Sequence, residues 1–308
     1  MTLVQPLVHD CDPGIDDAVA LLLALHSPDL SLRAVTTTHG NVALTDTTRN
    51  GLELLAFAGR ADVPLYAGAA APLVRAPVYA PEIHGRGGLG SVTLPETAKQ
   101  PEALHAALAL SQLSREFSGE LTVCATGPVS NLALAERLDP GCLARLKEVV
   151  IMGGSLDVSA PKLGNVTPYA EFNTYADPHA LRVVLESGAR VVLFGLNLTR
   201  QVRVTRERVA ALHALGTPSA VLCADMLADY LNRIEVRDQR VGALHDPCTV
   251  AYLLRPELFA LEAARVHVNT DEGERAGMTT LEDGAPNVQL ATHADEDGVY
   301  ALLHERLR

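Results

Sequence analysis

Short apolar runs rich in β-branched residues alternate with segments of helical period over most of the chain. This alternation predicts an α/β protein: an open, mostly parallel sheet with helices on both faces. The predicted strands are LVHDC (7–11), LRAVTTT (32–38), LTVCAT (121–126), EVVIMG (148–153) and RVVLFG (190–195). Helical periodicity fills 16–26, 44–58, 101–117, 129–137 and 178–187. Beyond these the pattern is less regular, with helices expected at 206–215, 219–232 and 247–254 and short strands at 265–269 and 287–291. No linker rich in Pro, Gly or Ser divides the chain, so a single domain spanning 1–308 is expected. In open sheets of this kind ligands sit beyond the C-terminal ends of the strands, where the chemistry should fall.

Composition narrows the function classes. With 48% hydrophobic and 20% charged residues, the chain is an ordinary globular one rather than a disordered one. A formal net charge of −12 argues against a nucleic-acid polymer as partner, because phosphate neutralisation needs clustered Lys and Arg. A small neutral substrate fits better. The apolar run at 18–25 is too short to span a bilayer and no basic segment precedes it, so no membrane association and a cytoplasmic location are expected. The five cysteines are irregularly spaced without a CxxC pair, which suits buried reduced thiols rather than zinc or redox chemistry.

One stretch resists a purely structural reading. DCDPGIDD places Asp10, Asp12, Asp16 and Asp17 within eight residues, and no Lys or Arg precedes Arg33. Asp16 and Asp17 fall where a helix N-terminus favours carboxylates. Asp10 and Asp12 have no such cause. Crowded carboxylates need solvent, protons or a counter-charge, and a hard cation taking oxygen ligands is the leading candidate.

Other motifs fall at strand ends. TTTHGN carries Asn41 after Gly40, and CATGPVSN carries Thr126 before a Gly-Pro turn, each explicable as a turn. Pro128 suits a first helical position, and the Thr126 carbonyl, released from the sheet, could meet a cation. GNVTPYAEFNTYADP is a long polar segment whose Asn165, Glu171 and Asn173 would suit a substrate rich in hydroxyls. In LHDPCTVAYLL, Asp246 before Pro247 reads as a helix cap, while His245 reads as either a proton donor or a bystander.

Taken together these segments resemble the nucleoside hydrolase family, the inosine-uridine-preferring ribohydrolases. DCDPGIDDA, TTHGN, IHGRGGLG (83–90), ATGPVSNLA, IMGG, GNVTPYAEFN and HDPCTVAYLL stand in family order over nearly the whole chain. The resemblance implies the nucleoside hydrolase fold, with a Rossmann-like core, binding one Ca²⁺. Asp12, Asp17 and Asp246 would ligate it by carboxylate and Thr126 by its main-chain carbonyl, with Asp10 behind them. It implies cleavage of the N-glycosidic bond of ribonucleosides through an oxocarbenium-like transition state. Metal-bound water would be the nucleophile, Asp12 the general base and His245 the acid for the departing base.

By the same resemblance Asn165 and Glu171 match groups that hold the 5′-hydroxyl, and Asn173 and Asp16 those that hold the 2′-hydroxyl. Asn41, Asp246 and the Met152 main chain match further ribose contacts, and His84 a residue near the base pocket. It also implies a homo-oligomer, dimer or tetramer, working in purine and pyrimidine salvage. The helix before HDP carries only Tyr230 as an aromatic, and Arg86 occupies a variable position, so the base preference stays open.

Two other readings compete. One is a catalytically inactive, calcium-dependent nucleoside-binding protein with the same groups. The other is a Mg²⁺ phosphohydrolase of the haloacid dehalogenase type, suggested by DCD after a strand. That chemistry wants a phosphate-binding lysine, and Lys99, Lys147 and Lys162 lie in no such motif.

Overall fold

The computed structural model describes residues 4–156, 164–238 and 242–308, apart from the side chains of 236–238; Lys162 lies outside these. The strands are β1 (Gln5–Cys11), β2 (Leu30–Thr37), β3 (Leu65–Ala67), β4 (Thr122–Ala125), β5 (Glu148–Met152), β6 (Val191–Phe194), β7 (Arg203–Val204), β8 (Gly242–Ala243), β9 (Phe259–Val268), β10 (Thr279–Glu282) and β11 (Val288–Ala294). The helices in the first half are α1 (Ile15–Leu25), α2 (Leu44–Phe57), α3 (Pro81–His84), α4 (Ala106–Glu116) and α5 (Ser130–Leu138). Then follow α6 (Phe172–Ala176), α7 (Pro178–Glu186), α8 (Leu196–Thr199), α9 (Arg206–His213), α10 (Pro218–Asp238), α11 (Pro247–Leu254) and α12 (Glu296–Arg306).

Among the described residues, nine strands form one sheet in the order β10-β9-β11-β6-β5-β4-β1-β2-β3. From β3 to β11 neighbouring strands pair in parallel, and β9 and β10 close the other edge antiparallel. The run β3-β2-β1-β4-β5-β6 is the order of a dinucleotide-binding sheet. Strand β1 therefore stands where the winding reverses, and a crevice opens beyond its C-terminal end. β7 and β8 form a separate two-stranded ribbon.

Alternation along the central strands feeds two cores. Leu7 and Cys11 of β1 join α1, α2, α10, α11 and α12 on one face, while Val8 joins α4, α5 and α7 on the other. Helix α1 is buried at every position from Ala18 to Ala24. Its unbroken apolar run follows from that placement, since α10 and α11 pack over the side the sheet leaves open. All five cysteines are reduced and buried. Among the described residues no helix is long and apolar enough to cross a membrane.

Several boundaries move. α4 starts at Ala106, not at 101, because His105 caps it through a ring nitrogen that accepts from the Ala107 N–H at 3.1 Å. α5 starts at Ser130, which leaves Pro128 outside the helix rather than at its first position. α10 continues to Asp238 and β9 spans ten residues. Strands β3, β7, β8 and β10 and helices α3, α6, α8 and α12 go beyond what the pattern predicts; all the strands among them have two to four residues. α12 contains Gly298, which weakens its helical signal. It forms because Val299, Leu302 and Leu303 bury against the core.

Candidate active site

Asp10 is the last residue but one of β1, fully buried and tied sideways. Its Oδ1 accepts from Thr36 Oγ1 on β2 and from Asn131 Nδ2 on α5. Asp12 lies just past the strand, with Oδ2 accepting from the Asn41 main-chain N–H at 2.7 Å. No donor reaches Asp12 Oδ1. Asp17 is the most heavily solvated by protein. Its Oδ1 accepts from Thr126 Oγ1 (2.8 Å) and the Asp12 N–H (3.2 Å), and its Oδ2 from Asn41 Nδ2 (2.9 Å) and the Gly14 N–H (3.1 Å). Asp17 thus caps α1, as the sequence suggests, while joining the acidic group.

Asp16 and Asp246 complete that group: carboxylate oxygens of Asp16, Asp17 and Asp246 lie within 4.8 Å of one another. Asp246 occupies the N-cap position of α11, yet its side chain makes no capping bond. The helix-cap explanation for this residue fails, and its carboxylate faces the other acids instead.

Burial drives all of these carboxyls upward. Asp10 and Asp16 are pushed to about 7, Asp12 and Asp246 well above the usual carboxylate range, and Asp17 upward, each chiefly by loss of solvent. The negative neighbour Asp17 adds to the rise in Asp12 and Asp16. Among the described ion pairs only His84–Asp16, at 4.0 Å, reaches the group, and burial holds His84 neutral with a pKa near 3.

A cation fits this environment. Every donor is oxygen, Asp12 Oδ1 is buried without a partner, and the wall around it is made of glycine. A Cβ at Gly127 would lie 2.6 Å from Asp12 Oδ1, and one at Gly40 would overlap Asp12 Oδ2. The Thr126 carbonyl accepts from Asn173 Nδ2 at 2.7 Å and retains a second lone pair.

Above the acids opens a cleft of about 350 Å³. Its polar end is lined by Asp16, Asn41, Thr126, Met152, Asn165, Glu171, Asn173, His245 and Asp246, with His84 at the side. Val78, Tyr79, Ile83, Tyr230 and Ile234 supply an apolar wall. Asp12 and Asp17 are fully buried and lie outside the lining, behind it. The structure therefore brings every residue singled out from the sequence to one place, in two layers.

The polar segment after residue 164 is ordered by a short helix rather than left as a loop. Glu171 caps α6: Oε1 accepts from the Asn173 N–H, and Oε2 from the N–H groups of Thr174 and Gly154. Burial still raises its carboxyl to about 7. Asn173 donates to the carbonyls of both Thr126 and Met152, which joins the ends of β4 and β5. His84 Nδ1 accepts from the Ile15 N–H at 3.1 Å, and His245 Nδ1 pairs with Thr199 Oγ1 at 2.8 Å. Burial lowers His245 to about 4.

Thr199, Arg200 and Tyr79 belong to this site or its support and stand outside the motifs, while Asn131, the last residue of CATGPVSN, supports Asp10 without having been singled out there. Thr199 had no signal, because the β7–β8 ribbon that brings it to His245 is two residues wide.

The sequence profile of the inosine-uridine preferring nucleoside hydrolases matches residues 7–301. RihA of Salmonella newport (strain SL254), a pyrimidine-specific ribonucleoside hydrolase, is 39% identical over 315 residues, covering 99% of each chain. Among solved structures, the plant nucleoside hydrolase PpNRh1 aligns with a TM-score of 0.92 and 33% identity over 99% of both chains. A purine-preferring ribonucleoside hydrolase from Gardnerella vaginalis aligns with a TM-score of 0.91 and 28% identity over 98% of both. The chain belongs to the inosine-uridine preferring nucleoside hydrolase family. It is a ribonucleoside hydrolase, an enzyme that divides its substrate into ribose and free base.

Proposed function

We propose that this enzyme is calcium-dependent and prefers pyrimidine ribonucleosides. The observation that carries the metal is the acid group of Asp16, Asp17 and Asp246 with the unpartnered Asp12 Oδ1 beside it. An irregular set of carboxylates and a carbonyl suits Ca²⁺ better than Mg²⁺, which demands near-ideal octahedral geometry. Asp12, Asp17, Asp246 and the Thr126 carbonyl would hold the ion. When bound, calcium supplies Lewis acidity toward water and an anchor for sugar hydroxyls.

The chain's own groups do the rest. Asp12 accepts the proton of the attacking water. Asp16 and Asn173 hold the 2′-hydroxyl, Asn165 and Glu171 the 5′-hydroxyl, and Asn41, Asp246 and the Met152 carbonyl complete the ribose contacts. A deoxyribose would leave buried polar groups unpaired, so ribose is selected. As the N-glycosidic bond breaks, positive charge grows on the sugar above a floor of carboxylates, which stabilises it. His245 protonates the departing base, with His84 beside it. The pyrimidine preference is supported by the 39% identity to a pyrimidine-specific enzyme, against 28% to a purine-preferring one.

Release of ribose and base from uridine, cytidine and inosine tests this, before and after chelation and with calcium or magnesium restored. Uridine or cytidine should be cleaved fastest, and calcium should restore the activity. A folded, calcium-loaded preparation that binds nucleosides to saturation without turnover would overturn the assignment.

A further inference from the structure

We propose that Thr199 is a positioning residue for His245, an inference that rests on His245 being the acid for the leaving base. Thr199 Oγ1 lies 2.8 Å from His245 Nδ1. Thr199 is fully buried, whereas His245 lines the cleft. Nδ1 is therefore engaged from within, which leaves Nε2 for the cleft.

A histidine that acts as an acid gives up its proton as an imidazolium and ends as the neutral ring, so both nitrogens carry protons before the transfer and Nδ1 needs an acceptor. The Thr199 hydroxyl oxygen is in position to be that acceptor. It fixes the ring plane and keeps Nε2, the nitrogen that gives its proton to the base, toward the cleft.

The fold goes to some length to hold this pair, whose members are 46 residues apart. The β7–β8 ribbon pairs Arg203 with Ala243 and Val204 with Gly242, and the Leu244 N–H donates to the Val202 carbonyl at 2.8 Å. This register sets the end of α8 against the residue before Asp246. α8 itself is pinned from its other side. The Leu196 N–H donates to the Gly154 carbonyl, Asn197 Nδ2 to the Ala291 carbonyl, and Gln201 Nε2 to the Thr292 carbonyl, each at 2.9 Å. Thr199 cannot follow the imidazole if it turns, so the ring is held to one orientation.

The test is Thr199→Val, which keeps the shape and removes the hydroxyl, assayed on uridine and on nitrophenyl riboside, whose leaving group needs no proton. The expected result is a roughly 10- to 100-fold fall in kcat on uridine with KM unchanged, and near-wild-type kcat on the nitrophenyl substrate. Thr199→Ser should restore uridine turnover. Wild-type turnover of uridine by Thr199→Val, equal losses on both substrates, or failure of the serine variant to rescue would each overturn the proposal. Should Thr199→Val not fold, Thr199→Ala enters the same comparison. His245→Ala, run in parallel, separates the two readings. Equal losses on both substrates there remove His245 as the acid, whereas a selective loss there beside an unaffected Thr199→Val removes Thr199 alone.

Discussion

Asn41 holds two carboxylates at once: its main-chain N–H donates to Asp12 Oδ2 at 2.7 Å and its side-chain amide to Asp17 Oδ2 at 2.9 Å. The amide also reaches the Asp12 carbonyl at 3.2 Å. One residue on the loop after β2 thus sets the spacing between two acids that would otherwise repel each other.

Asn41→Ala keeps the main-chain bond and removes both side-chain bonds. Calcium affinity should fall roughly 10- to 100-fold, as for the loss of a ligand-orienting partner. Titration calorimetry on chelator-treated protein checks this; unchanged affinity would mean that Asp17 is held well enough by Thr126, Gly14 and Asp12.

Asp246 caps α11 by position but not by bond, so removing its charge should not loosen the helix. Asp246→Asn is expected to stabilise the metal-free protein by about 1–2 kcal/mol, because it removes the cost of burying that carboxyl away from solvent and beside other acids. The same change should abolish calcium-dependent turnover. Urea denaturation in chelator, set beside activity, measures both. A destabilised variant would contradict the account of Asp246 as a repelled carboxylate.

The raised carboxyls fix a pH dependence. For Asp10, Asp16 and Glu171, with folded values near 7, the unfolded chain ionises first. Their contribution to the metal-free fold is complete below the ordinary carboxylate range and is lost as pH rises toward and through 7. His9, His84 and His245, lowered to about 3–4, act oppositely: they destabilise the fold as pH falls below 6.5. Metal-free stability should therefore decline from about pH 6.5 upward, where only the carboxyls titrate. Burial also raises the carboxyls of Asp12, Asp17 and Asp246, and a cation held by them must displace their protons, so calcium should raise Tm more at about pH 8 than at about pH 5.5. Equal increments at both would show that these carboxyls are already ionised without metal.

Arg306 near the C-terminus donates to Asp29 Oδ2 at 2.6 Å, 277 residues away in sequence. The arginine side chain is 12% exposed and the aspartate 39%, so the pair is partly screened. Arg306→Ala should cost about 1 kcal/mol and lower Tm by a few degrees, with kcat and KM unchanged. Altered kinetics would indicate that α12 couples to the cleft.

The central parallel strands and α1 were legible in the sequence because their signal is local: a short apolar run, a turn, a helical period. The antiparallel edge and α12 were less so. β10 has four residues, and Glu296–Arg306 forms a helix because of what it packs on rather than because of its own propensity. At the site, DCDPGIDD announced crowded charge by itself. Which acids share a centre depends on Asp246, and its Asp-Pro context pointed to a capping role that the structure does not give it. Glu171 shows the reverse: a residue read for substrate contact is also the cap that folds its own segment. Thr199 lay beyond any pattern, since its importance comes from a partner far along the chain.

The acids of the cleft floor come from opposite extremes of the polypeptide, with Asp16 and Asp17 near its start and Asp246 in its last quarter. During synthesis the first of these leave the ribosome long before the last. The nascent chain has no complete acid group until α11 docks, so the closing of that group reports that the first and last thirds of the chain have met.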